Sequence, residues 1–454
     1  MLVGSPLEWR SAALAGNSGA IFLDNDIDFQ NEIFVPMDVN MLHGNNHIVK
    51  NVHIEMPTTD HVGLINQDDV SLGNIDSYNP HYIHSVADLT LENCSIKGDD
   101  YVGAFGGMNI SVTNCKVLGN SVIEGTGDNV GGIVGLNRYE ERDTPVITKS
   151  YVGEQTTVKG INNVGGIMGA FSTIYTSYMD RSVNPLDDCI SRATVTALSD
   201  NAGGICGKIG PDSNQEFNEV AFLKPEHSFL ISKCVNEGKV TGRNNVGGIG
   251  GYFGIRQQVK ATELPSQISI YQSYSDAEIT GETNVGGIVG KTYSPIRTCY
   301  SRGVIKANQS VVGGIAGEAY EGLRLNNCYS LADIQVGTDG VAGGIVGKTA
   351  KTYVSYNYFS GTNANGCGIV GHSDGNVEVK NCVTTLSSLG TTAADVEINS
   401  KVGVTSIKDN KDIINVENAY SDTCWPETVN KFFSLKFADF FIDTEVPNFD
   451  QETV

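Results

Sequence analysis

Over short runs of this chain, β-branched apolar residues alternate with small or polar ones, as around Val117, Val158, Val195, Val240, Ile279, Val304 and Ile334. A period of two sends alternate side chains inward and outward, so each run reads as a half-buried strand. Helical periodicity is confined to short segments near the ends. Ser5-Pro6-Leu7-Glu8-Trp9 opens a predicted helix over residues 5–17, with Leu7, Trp9 and Leu14 placed to cover the first strands. Between the runs a box recurs, reading Val130-Gly131-Gly132-Ile133-Val134-Gly135 at its clearest. It returns at Val164–Gly169, Ala202–Gly207, Val246–Gly251, Val285–Gly290, Val312–Gly317 and Ala342–Gly347, with looser copies at Val102–Gly107 and Gly366–Gly371. A fixed box at intervals of roughly 25 to 45 residues signals stacked supersecondary units rather than one globular core.

A second element precedes the box. Cys115, Cys189, Cys234, Cys299, Cys328 and Cys382, together with Cys94, hold one place in the repeat, and Ser150-Tyr151, Ser273-Tyr274 and Ser355-Tyr356 read as the same place with a hydroxyl for the thiol. From that place to the box is about 11 to 15 residues, whereas from the box to the next such place is about 8 to 27, so one connection is constrained and the other expandable. Asp100, Asp128-Asn129, Asn162-Asn163, Asn244-Asn245 and Asn284 lie just before boxes, where residues that tolerate left-handed conformations turn the chain. The paired glycines allow close backbone approach. Ile133, Ile167, Ile205, Ile249, Ile288, Ile315 and Ile345 are expected to stack as an interior ladder. About ten coils at about 4.8 Å each predict a rod on the order of 50 Å long.

The expected class is therefore all-β: a parallel β-helix or β-solenoid, right-handed, with a short helical N-terminal cap. Residues 1–60 read as that cap with the first strands, 61–385 as the repeats and 386–454 as a C-terminal capping segment carrying Trp425 and the aromatic run from Phe432 to Phe441.

Composition changes the picture in two ways. Gly supplies 53 of the 454 residues against 12 Pro, and the glycine is concentrated in the boxes. The formal net charge of −22 is spread along the chain, which argues against nucleic acid or anionic membrane as a partner. No run of about 20 apolar residues predicts a membrane span. No signal peptide is visible, because Glu8 and Arg10 follow Met1 too soon.

The pattern Cys-Tyr-Ser-x-Gly-x-Val, a short turn and then Val-Gly-Gly-Ile-Val-Gly resembles the GLUG repeat of bacterial surface proteins, including adhesin-like proteins and accessory regions of immunoglobulin A1 peptidases. Leu23–Phe29 looks like the opening strand of that family, and Val62-Gly63-Leu64-Ile65 like its first, degenerate box. His43–Val52 looks like its Asp-Gly-Asn-Gly-His segment, with His43 in place of Asp and Asn46 in place of Gly. The resemblance covers about residues 5 to 385 and implies a β-solenoid at a cell surface or outside the cell, as a monomer or part of a larger surface protein. Peptidase activity does not carry over, because no His-Glu pair occurs for a His-Glu-x-x-His zinc site.

Candidate chemistry is sparse. Ten cysteines without a Cys-x-x-Cys spacing predict a ladder of buried thiols rather than a zinc site, and in-register stacking disfavours disulfides. Asp24, Asp26 and Asp28 have the spacing that opens a calcium loop, yet Phe29 and Val35 stand where Gly and Glu belong, so a solvated strand with Leu23, Ile27 and Phe29 facing inward is the preferred reading. Asp68-Asp69, Asp99-Asp100 and Asp187-Asp188 would suit a polysaccharide hydrolase or lyase if paired across a cleft. Asp100 falls at the turn position of the repeat, which favours a turn role. His81-Tyr82-Ile83-His84 reads as a surface loop. No cofactor is implied. The long loops after the boxes, about 136–149, 170–187, 208–231 and 252–271, are the expected binding elements, for a host protein or a glycan. Tyr175, Tyr178, Phe217, Phe222, Tyr252 and Phe253 are their candidate ligand-contacting residues, with Phe171 and Phe229 beside them. The alternative for most of these rings is packing against the rod.

Overall fold

The computed structural model describes residues 1–398 apart from 16–18, 31, 66–83, 140–143, 174–177, 180, 212–220, 224–226, 258–267, 321–322, 351, 356, 364–366, 376, 381 and 391–395; for 178–179, 221–223, 256–257, 268, 383, 389 and 396–398 the description is of the backbone alone. The protein is a parallel β-solenoid. Residues 110–138 show the plan of one coil. Ile110–Thr113 lies in a first sheet of 14 strands. Asn114 turns the chain with φ 52°, and Lys116–Leu118 and Val122–Gly125 enter a second sheet of 20 short strands. Asn129, at φ 61°, turns it again into Val130–Gly131 of a third sheet and Val134–Arg138 of a fourth.

Register in the third sheet is kept from coil to coil, whereas the first sheet shifts between Val183 and Leu186 and the fourth between Cys367 and Val370. Val130, Val164, Ala202, Val246, Val285, Val312 and Ala342 follow one another as parallel partners. The isoleucine ladder forms as expected: all seven residues are fully buried, and each amide donates to the carbonyl of the next isoleucine at 2.8–3.1 Å. The first sheet begins with Leu2–Val3, Ala20–Leu23 and Met41–His43 and ends with Glu378–Lys380 and Val396–Ile398, so fourteen rungs replace the expected ten. The rod is accordingly about 60 Å long along this sheet. The added rungs were missed because they carry no clear box.

The helix spans Pro6–Leu14 and starts with a capping box. Glu8 N–H donates to Ser5 Oγ at 3.3 Å, while Glu8 Oε2 accepts from Gly4 N–H at 2.9 Å and from Ser5 Oγ–H at 3.0 Å. Trp9 covers the first coils as expected, against Phe29 and Phe34, and its indole N–H donates to the Val35 carbonyl. Leu7 and Leu14 do not: they are 69% and 76% exposed, because the buried face of the helix is Trp9 and Ala12.

The thiol ladder is present, with two changes of membership. Its column runs Leu89, Cys115, Ser150, Cys189, Cys234, Ser273, Cys299, Cys328, Asn357 and Cys382. Cys94 sits one corner later, where its N–H donates to Ser121 Oγ. Both corners of that coil turn at a left-handed residue, Asp88 and Asn93, so Asn93-Cys94 mimics the motif without holding its place. Asn357-Tyr358, not Ser355-Tyr356, fills the column farther on, since Tyr329 pairs with Tyr358 and Asn326 with Ser355. Where a polar residue replaces the thiol, it accepts the N–H of the preceding coil's cysteine: Cys115 to Ser150 Oγ, Cys234 to Ser273 Oγ and Cys328 to Asn357 Oδ1. None of the nine described cysteines is in a disulfide, and burial pushes Cys115, Cys328 and Cys382 up to about 12. Protonated thiols of this kind act as small apolar fillers, not nucleophiles.

The paired glycines have a concrete cause. A Cβ on Gly166 would lie 2.1 Å from the Gly204 carbonyl oxygen and 2.2 Å from Ser191 Oγ. The same contact recurs between Gly204 and Asn236, Gly248 and Ser275, and Gly314 and Ser330. The residue two places after the thiol thus packs on the second glycine of the box in the preceding coil. The two sequence motifs are the two halves of one contact.

Candidate binding surface

The expandable connections all leave the end of the fourth sheet and return to the first. Three of them build a structure of their own. Tyr178–Met179, Ala221–Leu223 and Ile255–Gln257 pair as a three-stranded parallel sheet, a ledge beside the rod. Its register places Tyr178 opposite Phe222 and Phe222 opposite Arg256. Two residues expected to contact ligand are therefore brought together at the level of the backbone. The ledge stops where the next connection shortens to Tyr293-Ser294-Pro295, and the Ser294 hydroxyl donates to the Ile255 carbonyl. Tyr175 and Phe217 lie outside the described residues, as do Asp68-Asp69, His81 and most of the proposed C-terminal cap.

Other loop aromatics go to the core. Phe253 is 1% exposed, and Phe171 and Phe229 are fully buried. Their rings form a chain, Phe171 to Phe229 at 5.5 Å and Phe229 to Phe253 at 5.9 Å. The strands of the fourth sheet run past the box, so Phe253, expected on a loop, closes the interior where that loop departs. Tyr252 is half-buried on the other face of the same strand. Its ring lies 5.9 Å from Tyr293, which lies 4.4 Å from Tyr320, a row with its most exposed ring at Tyr320. Asn129, Leu136, Asn163, Ala170, Ser172, Lys208 and Pro211 surround a notch near the ledge with room for about one water molecule.

The acidic candidates serve turns and neighbouring coils. Leu23, Ile27 and Phe29 do face inward, but only Asp28 of the three aspartates is in a strand, Ile27–Asp28. Asp26 Oδ1 accepts Ile48 N–H at 2.9 Å, and Asp28 Oδ1 accepts from Gln30 N–H and Asn51 Nδ2. Those bonds hold both carboxyls below the usual carboxylate range. Asp24, exposed, lies outside the strands. Among the described residues no group of three metal-ligating side chains converges.

At the corner before the box, an inner column of amides runs Asn129, Asn163, Asn201, Asn245 and Asn284, each Nδ2 donating to the preceding Oδ1 at 2.8–3.1 Å. Beside it Asp128, Asn162, Asp200 and Asn244 alternate acid with amide, so each carboxylate meets a donor. The alternation fails at Asp100, which neighbours Asp128, Asp60 and Asp99. Burial, and then these like charges, raise its pKa even though its Oδ1 accepts Asp128 N–H at 2.5 Å.

A raised folded-state pKa means the folded chain loses stability as pH rises through that pKa and regains it as pH falls towards the unfolded value. Asp100→Asn restores the alternation and keeps the acceptor. It is expected to raise stability at pH 7 by roughly 0.2–1 kcal/mol and to shrink that gain as pH falls into the carboxylate range. Denaturant melts of both chains across pH check this; a gain that persists unchanged at low pH contradicts it.

No family model matches the chain, and no curated protein matches it. Among solved structures, the chain is similar to the crystal structure of a putative immunoglobulin A1 protease from Bacteroides ovatus, at 16% identity, covering 88% of this chain and 77% of that one, with a TM-score of 0.24. Shapes that superpose so poorly carry nothing from that protein to this one. Among the described residues no helix is long and apolar enough to cross a membrane.

Proposed function

We propose that this chain is a non-catalytic binding solenoid of a bacterial surface, an adhesin-like module that presents its long connections to a host protein or glycan. The observation that carries the reading is the ledge. Three separate insertions, in successive coils, pair in register and bring Tyr178, Phe222 and Arg256 to adjacent strands. Insertions that merely filled space would have no need to share a sheet, whereas loops held by a rigid scaffold make a reproducible contact surface. The non-catalytic part rests on the carboxylates. Asp26, Asp28, Asp100, Asp128 and Asp200 each accept hydrogen bonds that shape turns or join coils, which is not the facing pair that glycoside hydrolysis requires. Surface location follows from the resemblance of the box and thiol motifs to the GLUG repeat.

The test is a screen of the intact chain against glycans and extracellular-matrix proteins. It is repeated with residues 212–227 replaced by Ser-Pro, the connection used at Ser294-Pro295. A ligand bound by the intact chain and weakened at least tenfold by the replacement is the expected result. A passive spacer would bind nothing, and an unchanged affinity would move the site off the ledge.

A further inference from the structure

The cap helix Pro6–Leu14 has a second apolar face. Trp9 and Ala12 are its inner side, while Leu7 and Leu14 stand on the outer side, uncovered. Leu7, Arg10 and Leu14 follow one another at i, i+3 and i+7, so they form one stripe about 10 Å long. Glu32 meets Arg10 at 2.7 Å, which brings Ile33, also exposed, alongside that stripe. Leu2 of the first strand is exposed at the same end of the rod. Of the eleven large apolar side chains exposed among the described residues, Met1, Leu2, Leu7, Leu14 and Ile33 lie here, and the other six are spread over residues 56–353 along the rod. The terminal unit of a solenoid ordinarily turns a polar face outward, and this one does not.

We propose that this end face is an interface between two copies of the chain, packed end to end across a two-fold axis. Antiparallel packing of the two helices sets Leu7 of each copy against Leu14 of the other. An isologous contact of this kind needs only the one patch. A head-to-tail contact needs a complement elsewhere, and the other six exposed side chains, dispersed among the described coils, do not form one. Charge favours the same arrangement. Arg10 and Glu32 neutralise each other, and Glu8 is engaged with Gly4 N–H and Ser5 Oγ–H. The net charge of −22 is spread along the chain. End-on contact keeps most of that charge farther apart than the roughly 8 Å over which it acts in physiological salt, whereas side-by-side contact does not. Leu2, Leu7, Leu14 and Ile33 together expose roughly 500 Å², as much as a monomer ordinarily leaves in one patch. The dimer therefore buries on the order of 1,000 Å² in all, the lower limit for specific association. Its dissociation constant is accordingly expected on the order of 10–100 µM.

The experiment is sedimentation velocity with small-angle X-ray scattering on the full chain, from about 1 to 500 µM. Expected are a monomer–dimer equilibrium and a longest dimension that about doubles on association, from the roughly 60 Å of one rod. Leu7→Gln with Leu14→Gln keeps good helix formers and should raise the dissociation constant at least about tenfold. The control, Met56→Gln with Leu198→Gln, alters exposed side chains elsewhere on the rod and should change it less than about twofold. Both variants should melt with the parent at low concentration, since all four side chains are exposed. The chain with 212–227 replaced should dimerise like the parent, which separates this surface from the ledge. A monomer at every concentration, a dimer no longer than the monomer, growth beyond two copies, or a helix variant that associates as tightly as the control would each overturn the proposal.

Discussion

Gly166→Ala is expected to break the middle of the rod, while Gly250→Ala leaves it intact. Both glycines belong to boxes, Gly166 at a place that is glycine in every clear copy and Gly250 at a place that other copies fill with larger residues. At Gly166 an added Cβ meets a backbone oxygen of the next coil at 2.1 Å and a fully buried serine at 2.2 Å. Neither can retreat, because each is fixed by coils on both sides. At Gly250 the nearest atoms are the Cys206 carbonyl oxygen and Val289 Cγ2, both at 3.8 Å, which is ordinary contact. Val134, Met168, Cys206 and Val289 hold the equivalent place in other coils. Overpacking against backbone should cost more than about 3 kcal/mol, whereas the Gly250 change should gain up to about 1 kcal/mol through the unfolded chain. Because each coil leans only on its neighbours, the loss should show as an early separate transition in urea unfolding. Equal midpoints for the two variants would contradict this account of the paired glycines.

Asn245→Val should be nearly as damaging, for a different reason. Asn245 has φ 53°, donates to Asn201 at 3.0 Å and accepts from Asn284 at 3.1 Å. A β-branched residue loses about 1–2 kcal/mol in a left-handed conformation and forfeits two hydrogen bonds of about 0.5–1.5 kcal/mol each. The expected total is about 2–5 kcal/mol. Asn245→Gly, which keeps the backbone freedom but not the bonds, should fall between the variant and the parent. If glycine matched asparagine, the amide ladder would contribute nothing. The first coils show what can stand in for it: His61 and Tyr101 occupy the same column at φ 61° and 58°, and their rings stack at 4.9 Å.

What the residues disclosed follows the range of the interactions. The isoleucine ladder, the turn role of Asp100 and the corner asparagines were readable because each depends on one position repeated in every coil. The thiol column was readable only in outline. Its corner accepts left-handed Lys149, Lys233, Gln272 and Thr298 as well as Asn114, so the turn leaves no fixed residue type to recognise, and Asn93-Cys94 imitates it one corner away. Phe253 looked like a loop residue because the box suggested where its strand ends, while packing against Phe229 extends the strand beyond it. The ledge was hinted at by unequal connection lengths, but pairing between insertions more than 30 residues apart depends on register that no single insertion contains. The Arg324 guanidinium lies 5.5 Å from the centre of the Tyr353 ring, a contact with no signal in sequence, since the two residues meet only across coils.

The central claim is that scaffold and recognition are separable, the boxes holding the rod and the ledge holding the ligand. It is tested most directly on the chain with residues 212–227 replaced by Ser-Pro, by recording its unfolding midpoint and its affinity for the ligand found in the screen. The account predicts an unfolding midpoint close to that of the intact chain together with a loss of binding of at least tenfold. A stable variant that binds as tightly as the parent, or one whose rod unfolds when the insertion is removed, would contradict it.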